Sequence, residues 1–225
     1  MVKELEKDVM RAVRDQNGNH VVQKVIERVP MEHMHNVVEA FRGHIGSLSV
    51  NSYGCRVIQR LLEKVSEPQR RFILMELHVE GEKLITDQYG NYVTQHIIEH
   101  GLPDDRAKVV SLVRASILTF SKHKYASNVV ERCLIHGNDE QRRELVNAII
   151  AKDALGENQL APLLKDGYGN YVIQKLLETL IRADYDPLVQ ALKPELEKVK
   201  QGTVTGKQIV SVSHIVLYVM CEEQG

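Results

Sequence analysis

Five pairs of polar side chains recur along the chain, and the two members of each pair are four residues apart. On a helix such residues lie one turn apart, so both side chains could grip the edge of one flat object. Amides offer both donors and acceptors, which suits a nucleobase edge, whereas an enzyme needs one nucleophile or base that differs from its neighbours. The pairs are Asn19 with Gln23, Cys55 with Gln59, Asn91 with Gln95, Ser127 with Glu131 and Asn170 with Gln174.

The residues beside these pairs also repeat in type. Counting the first member of each pair as position one, position two holds flat or planar groups in four of five cases: His20, Arg56, Tyr92, Asn128 and Tyr171. Stacking on a base is worth about 1–3 kcal/mol, so this row could supply affinity. Position six is basic or potentially basic in every repeat, which predicts locally positive charge. These side chains could contact phosphates or orient the stacking groups. They are Lys24, Arg60, His96, Arg132 and Lys175.

These positions follow a long period. Position one falls at residues 19, 55, 91, 127 and 170, which gives three steps of 36 residues and one of 43. Such a period is typical of helical solenoids, with a seven-residue insertion predicted within Asp153 to Ala161. Positions three, four, seven and eight are almost all apolar, so we expect them to pack inward and positions one, two, five and six to point outward. The predicted reader helices lie near 19–28, 55–64, 91–100, 127–136 and 170–179.

Helix boundaries are marked as well. An Asp or Asn often stands four residues before position one, where it could act as an N-cap (Asp15, Asn51, Asp87 and Asp166). Two further helical patterns separate successive reader helices, for example Pro68 to Leu77 and Gly81 to Asp87, so three helices are expected in each repeat. The sequence therefore predicts an all-α solenoid whose reader helices share one surface.

Composition narrows the class of partner. The formal net charge is -1, which argues against indiscriminate gripping of phosphates, because such binding draws on clustered Lys and Arg. The three cysteines lack CxxC spacing, so neither a disulfide framework nor a thiolate metal site is predicted. No apolar run approaches the length of a membrane span and the start is not a signal peptide, so the cytosol or nucleus is expected, with the cytoplasm as the predicted location.

The five segments resemble, in order, repeats four to eight of the Pumilio (PUF) RNA-binding domain. They read Asn-His-Val-Val-Gln, Cys-Arg-Val-Ile-Gln, Asn-Tyr-Val-Thr-Gln, Ser-Asn-Val-Val-Glu and Asn-Tyr-Val-Ile-Gln. The resemblance implies one PUF domain over residues 1–225, a right-handed curved α-solenoid of three-helix repeats, closed by a capping half-repeat at 187–225. Within that cap, Gly206-Lys-Gln-Ile-Val210 looks like a degenerate reader helix. Since family members usually carry eight repeats, the chain is expected to lack N-terminal repeats.

The same resemblance implies a base for each pair. Asn with Gln reads uracil, Cys with Gln reads adenine and Ser with Glu reads guanine, on RNA that runs antiparallel to the protein. The implied core is 5′-UGUAU-3′. The guanine assignment also has independent chemical support, because the Glu131 carboxylate can accept from both the N1–H and N2–H₂ donors of guanine. The implied role is post-transcriptional repression through mRNA 3′ UTRs, with mRNA decay or translation factors as partners on the outer surface.

Two other classes of function compete with this interpretation. An armadillo- or HEAT-like scaffold would use the same kind of solenoid to bind proteins, and binding to a random RNA pool would separate the two hypotheses. An enzyme is disfavoured, since the chain has no P-loop, GxSxG or HExxH motif. His33 and His35 would not share a helix face, so no metal site is predicted there. We expect no catalysis, cofactor, metal, membrane or DNA partner.

Overall fold

The computed structural model describes residues 2–152, 156, 158–179 and 182–200, and most of these residues are helical. Within this described part the only strand-like pairing is one antiparallel bridge between Lys152 and Asn158. The predicted all-α class is therefore confirmed. The chain divides into two compact units, Met1–Val109 and Val110–Gly225.

The first unit holds the first eight helices and the start of the ninth. In chain order they are α1 (Val2–Arg14), α2 (Gly18–Arg28), α3 (His35–Glu39), α4 (Ile45–Ser49), α5 (Gly54–Lys64), α6 (Glu67–Val79), α7 (Gly81–Thr86), α8 (Gly90–His100) and α9 (Pro103–Ala115). A short 3-10 turn, Met31–His33, precedes α3. The helices predicted from Pro68 and from Gly81 correspond to α6 and α7.

The second unit continues the same alternation of reader helices with paired connecting helices. Its helices are α10 (Ile117–Ser121), α11 (Ala126–His136), α12 (Asp139–Ile150), α13 (Leu160–Lys165), α14 (Gly169–Thr179) and α15 (Arg182–Lys200). Leu188 and Leu192 of α15 are buried. Residues 153–155 and 157 of the predicted insertion, and all of Gly206 to Val210, lie outside the described residues.

The reader helices are α2, α5, α8, α11 and α14, and each begins one residue before its predicted start. Their apolar stripe is buried as expected; in α5 it consists of Val57, Ile58, Leu61 and Leu62. Reader helices pack side by side within each unit, α2 on α5 and α5 on α8 in the first, α11 on α14 in the second. Val21 is an exception, 53% exposed, because no reader helix precedes α2 in the described chain.

Arginines on the connecting helices tie down the ends of three reader helices. The guanidinium of Arg70 donates to the carbonyl of Leu62 at 3.0 Å, and Arg106 donates to the carbonyl of Ile98 at 2.6 Å. Arg142 repeats the contact with the carbonyl of Leu134 at 3.4 Å. Carbonyls in the last turn of a helix have no intrahelical partner and carry the negative end of the helix dipole, so a cation there is stabilising. The reader helices are thereby fixed at their C-terminal ends.

Candidate nucleic-acid interface

Each reader helix is also fixed at its N-terminal end. The Asp15 carboxylate accepts from the backbone N–H groups of Asn17 and Gly18 at 2.9 and 2.7 Å. These bonds, that to Gly18 above all, lower the pKa of Asp15. The same two-bond arrangement is made by Asn51, Asp87 and Asp166. These side chains satisfy N–H groups at the start of each helix, as predicted, but they stand three residues before it, and the residue directly before the helix, such as Asn17, makes no side-chain capping bond.

The fourth reader helix uses a different cap, which was not predicted from the sequence. In α11 the acceptor is Nδ1 of His123, which lies 3.2 Å from the backbone nitrogens of both Tyr125 and Ala126. Accepting two N–H groups requires an unprotonated Nδ1, so the ring proton is on Nε2. The signal was available, since His123 occupies the position that Asp or Asn holds in the other units.

A small residue at the start of each reader helix allows close packing on the preceding helix. A Cβ at Gly54 would lie 2.5 Å from the carbonyl oxygen of Leu48 in α4, and one at Gly18 would lie 2.6 Å from that of Ala12 in α1. Side chains would force these helices apart. The glycines therefore set how deeply position one, the next residue, sits in the fold.

Position one is buried in every repeat. The exposed fractions are 1% for Asn19, 3% for Cys55, 1% for Asn91, 3% for Ser127 and 0% for Asn170. The expectation that position one points outward with positions two, five and six is therefore wrong. Position one is buried because the preceding helix packs closely against the start of the reader helix, and sequence periodicity alone does not reveal this packing.

Position five also departs from the expectation of an outward-pointing side chain. Its residues are half-buried in all five repeats: Gln23, Gln59, Gln95, Glu131 and Gln174. The correction is smaller than at position one, because part of each side chain still reaches the surface. Position five thus forms the accessible part of each pair.

The paired residues are hydrogen-bonded to each other in the three Asn and Gln repeats. Nε2 of Gln23 donates to Oδ1 of Asn19 at 3.0 Å. Gln95 makes the same bond to Asn91 at 2.8 Å. Gln174 makes it to Asn170 at 3.0 Å. The structure thus brings positions one and five together as the sequence predicted.

These bonds correct the expectation that both amides of a pair offer free donors and acceptors to a base. In α2 and α8 the nitrogen ends of Gln23 and Gln95 are engaged with the protein, and Gln174 repeats this in α14. In α5 the Gln59 amide donates to the backbone carbonyl of Cys55 at 3.2 Å. The physical reason is burial: the position-one side chain is shielded from solvent, so its polar atoms take partners from the same helix and from the turn before it.

Position two is on the surface in all five repeats. Tyr92 and Tyr171 are 57% and 56% exposed, and His20, Arg56 and Asn128 are also exposed. Large exposed rings are costly to leave in water, and at fixed intervals they provide surfaces on which bases can stack. Position two therefore has the accessibility that the predicted stacking role needs.

A pocket of about 340 Å³ lies between α5 and α8 and combines these features. Its walls include the pair Cys55 and Gln59 and the position-two side chains Arg56 and Tyr92 of two neighbouring repeats. A flat group entering here could contact both the polar pair and the planar groups of two neighbouring repeats. Ser52 and Tyr89 complete the lining. Neither was predicted as a site residue, although a tyrosine stands two residues before position one in four repeats.

The sequence profile described as the Pumilio-family RNA binding repeat matches the chain five times. The matches cover residues 14–40, 44–78, 83–113, 116–150 and 159–192, which is well over half of the chain. The chain belongs to the Pumilio (PUF) family. The resemblance inferred from the five segments is confirmed, and membership of a family of RNA-binding repeats agrees with the expectation that the chain is not an enzyme. A comparison with curated protein sequences finds no match.

Solved PUF structures share the fold. The crystal structure of PUF-8 in complex with PBE-RNA is 32% identical, with a TM-score of 0.87, and the match covers 100% of this chain and 64% of that chain. The Puf3 RNA-binding domain bound to a Cox17 RNA 3′ UTR recognition sequence, site B, is 36% identical, with a TM-score of 0.86 over 96% of this chain and 65% of that one. The chain thus spans slightly less than two thirds of these PUF proteins.

Cations at position six of this PUF chain are paired with carboxylates. Lys24 contacts Glu27 at 2.9 Å, and Arg60 contacts both Glu27, at 3.4 Å, and Glu63. Glu63 in turn contacts Nε2 of His96 at 3.1 Å, so an ion-pair ladder crosses α2, α5 and α8. In α14, Lys175 contacts Glu178 at 2.5 Å.

This pairing corrects the expectation of a positive row. The carboxylates occupy position nine, one turn beyond the cations, and neutralise much of their charge in these four repeats. Burial also lowers the pKa of His96, although the contact with Glu63 opposes that effect, so the imidazole adds little positive charge. Attraction of phosphates along this row is weaker than the sequence alone indicated.

The fourth repeat differs in its edge chemistry. Ser127 is buried and Glu131 is half-buried, and burial raises the pKa of the Glu131 carboxyl while Lys175 and Arg132 lower it. When ionised, this carboxylate offers acceptors only, unlike the amides of the other repeats. Position nine of α11 is Ile135, which is partly exposed, so this reader helix lacks the acid that the others carry there.

Two further findings concern other classes of site. Within the described residues, no group of three His, Cys, Asp or Glu side chains is arranged to hold a metal ion. No helix in that part of the chain combines the length and apolar character needed to cross a membrane.

Proposed function

We propose that this PUF chain binds single-stranded RNA by its reader helices, one base for each repeat, with the core 5′-UGUAU-3′. One observation carries the proposal: all five reader helices present the same arrangement of a buried position one, an exposed position two and a half-buried position five. Such repetition suits a polymer of similar units better than a single small ligand. The preformed pocket between α5 and α8 supports base-sized occupants.

The proposed assignment runs against the direction of the chain. Exposed groups at position two stack on the bases and supply affinity, while the edge residues supply discrimination. The Glu131 carboxylate suits guanine, whose N1–H and N2–H₂ donors it can accept together. From the 5′ end, Asn170 and Gln174 take U, Ser127 and Glu131 take G, Asn91 and Gln95 take U, Cys55 and Gln59 take A, and Asn19 and Gln23 take U.

Phosphate attraction is a minor contribution in this proposal. The position-six side chains Lys24, Arg60, His96 and Lys175 are engaged with carboxylates, so they release few counterions when RNA binds. Their proposed role is to support the reader face, with contacts to phosphate secondary.

The proposed cellular role is post-transcriptional repression of translation and mRNA stability through 3′ UTR sites in the cytoplasm. Support comes from family membership and from similar proteins: the structures of Puf3 and Puf4 RNA-binding domains hold 3′ UTR recognition sequences. Decay or translation factors would bind the outer surface. Met75 and Val79 of α6 are exposed one turn apart and would give a partner an apolar contact.

Selection from a randomised RNA library, followed by sequencing, tests the proposal. We expect enrichment of UGUAU, and direct binding measurements should show that this RNA is preferred over its scrambled version. Recovery of no consensus, with equal affinity for unrelated RNAs, would reject base reading. It would favour the alternative, an armadillo- or HEAT-like surface that binds proteins.

A further inference from the structure

Position nine of the reader helices is acidic in four of the five repeats. The residues are Glu27, Glu63, Glu99 and Glu178, and we call them the position-nine carboxylates. Each lies one helical turn beyond position five, which is about 6 Å along the helix axis. Charges act on each other over about 10 Å at moderate ionic strength. Each carboxylate is therefore close enough to influence the phosphates of an RNA whose bases lie at positions one, two and five.

Acidic side chains beside a nucleic-acid interface require an explanation, because every nucleotide of RNA carries a negatively charged phosphate. Stability of the fold does not supply one. The side chains of Glu27 and Glu63 are 28% and 32% exposed, and that of Glu178 is 50% exposed. Ion pairs at such accessible positions stabilise a protein only slightly. We therefore expect the main effect of these carboxylates to be on a charged ligand.

Position-nine carboxylates contact the cations of position six in α2, α5 and α14. The pairs are Glu27 with Lys24 at 2.9 Å, Glu63 with Arg60, and Glu178 with Lys175 at 2.5 Å. The hydrogen bond from Lys24 lowers the pKa of Glu27, so this carboxylate is ionised at neutral pH. Each pair cancels a positive charge that a phosphate would otherwise approach.

Matched and unrelated RNAs depend on these cations to different extents. In the pocket between α5 and α8, a matching base would contact Cys55 and Gln59 by its edge, and its own phosphate lies at the opposite end of the nucleotide. An unrelated RNA lacks such edge contacts, so its affinity comes from attraction between its phosphates and basic side chains. Cancelling the charge of Arg60 and its counterparts therefore weakens the binding of unrelated RNA more than that of matched RNA.

We propose that Glu27, Glu63 and Glu178 are specificity-determining residues, because they suppress sequence-independent binding by cancelling the charge of the position-six cations. The inference rests on the proposed function, since it concerns how the chain distinguishes matched RNA from unrelated RNA. The edge pairs select by attracting the right base, whereas these carboxylates select by weakening the contacts that any RNA could make. Their position beside the reader residues, and not the net charge of the chain, produces this effect.

The double variant Glu27→Gln with Glu63→Gln tests this proposal. Glutamine has nearly the same shape as glutamate and keeps an acceptor oxygen for Arg60, but it has no charge. Kd values are measured for UGUAU RNA and for a scrambled RNA between about 50 and 200 mM salt. At the lowest salt concentration the affinity for scrambled RNA should rise about fivefold or more, the effect of one close charge contact in water. The affinity for UGUAU RNA should rise less, so selectivity should fall.

The salt dependence of binding supplies a second readout. Phosphates that gain access to Lys24 and Arg60 release counterions, and each adds about -0.7 to the slope of log K against log salt for a single strand. The slope for scrambled RNA should therefore become steeper in the double variant. A purely structural role of the two glutamates would not produce this change.

Two further variants control for net charge and for folding. Glu39→Gln with Glu144→Gln makes the same change of charge on the connecting helices α3 and α12. There the two glutamates contact Arg42 at 2.8 Å and Arg114 at 3.7 Å. The selectivity and salt slope of this control variant should match wild type. Glu178→Gln removes an ion pair that lies within α14. It should change selectivity in the same direction as the double variant, and it tests the proposal should that variant fail to fold.

The possible results separate this inference from the function on which it rests. Equal changes in affinity for both RNAs, or the same loss of selectivity in the control variant, would overturn the inference and leave base reading intact. An unchanged salt slope for scrambled RNA would do the same. If wild type binds both RNAs equally, the proposed function fails and the inference fails with it, but a steeper slope in the double variant would still show that these carboxylates keep phosphates from the cations.

Discussion

The reader helices α11 and α14 pack against each other in the second unit and have the same length. Their capping residues and their edge pairs differ. The start of α14 is capped by the Asp166 carboxylate, with both N–H contacts at 2.8 Å, whereas α11 is capped by the His123 ring at 3.2 Å. Their backbones nevertheless follow one pattern. The same backbone conformation at the start of a reader helix can therefore be capped by different residue types.

The edge chemistry of the two helices differs more sharply. Gln174 is an amide held by Asn170, while Glu131 is a half-buried carboxyl with a raised pKa. Lys175 contacts Glu178 in α14, but Ile135 stands at the matching position of α11. Because the two helices share one backbone pattern but differ at the edge pair, we expect that base preference can be moved between repeats, and that acid changes the edge of α11 and not that of α14.

The largest effect is expected when α11 receives the residue pair that α14 carries at positions one and five. Ser127→Asn combined with Glu131→Gln gives α11 the pair found in α14, removing the acceptor that guanine needs. Preference should move from UGUAU to UUUAU, with each mispaired edge costing about 1–3 kcal/mol by analogy with bidentate base contacts. Competition binding with both RNAs measures the reversal. A double variant that still prefers guanine would show that neighbouring repeats, and not the pair, decide the base.

Removal of the stacking groups should weaken binding without changing preference. Tyr171→Ala in α14, and Tyr92→Ala in α8, should each reduce the affinity for UGUAU RNA by about 1–3 kcal/mol. Asn128→Ala in α11 should cost less, because an amide has a smaller planar surface than a phenol ring. Equilibrium titrations of the three variants provide the comparison. Equal losses at Tyr171 and Asn128 would remove stacking from the account of position two.

Acid should affect α11 and spare α14. Burial raises the pKa of Glu131, so as pH falls its carboxylate is protonated before an ordinary glutamate is, and an acceptor for guanine is lost. Preference for UGUAU over UUUAU should decrease from neutral to mildly acidic pH, while discrimination at the first uracil stays constant. Glu131→Gln should abolish the pH dependence, and its persistence in that variant would assign it to another group.

Protonation of Glu131 should weaken guanine binding but favour the folded state. A carboxyl whose pKa is raised by folding destabilises the folded state when ionised, so the contribution of Glu131 to the free energy of unfolding is less favourable above its shifted pKa than below it. Protonation of Glu131 should therefore not by itself unfold the chain, and the loss of guanine preference is expected at pH values where the fold is intact. Circular dichroism over the same pH range checks this.

The smallest difference between α11 and α14 is expected in the free energy of unfolding that is lost when each N-terminal cap is removed. Asp166→Ala should lower the free energy of unfolding by about 1 kcal/mol, a typical value for loss of an N-cap. His123→Ala should cost less, since a neutral ring nitrogen at a longer distance is a weaker acceptor than a carboxylate. Denaturant unfolding of both variants measures the two losses, and a larger loss at His123 would contradict this ranking.

The sequence alone determined the period, the helices and the pairs. Residues such as Val57, Ile58, Leu61 and Leu62 recur at helical spacing, and Asp or Asn marks most of the starts, because periodicity and capping depend on neighbours in the chain. Positions one and five could be paired for the same reason, being one turn apart on a single helix. Family membership followed from these local patterns.

Only the tertiary structure decided how those residues are used. Asn170 is buried, and its neighbour along the chain, Tyr171, is exposed, because the close approach of another helix covers one and leaves the other in water. Likewise Arg60 meets Glu27 of the adjacent reader helix, a contact between residues 33 positions apart in the chain that no local pattern announces. Burial and charge pairing depend on which helices pack together, so which side chains are buried, which are exposed and which cations are paired became visible only in the fold.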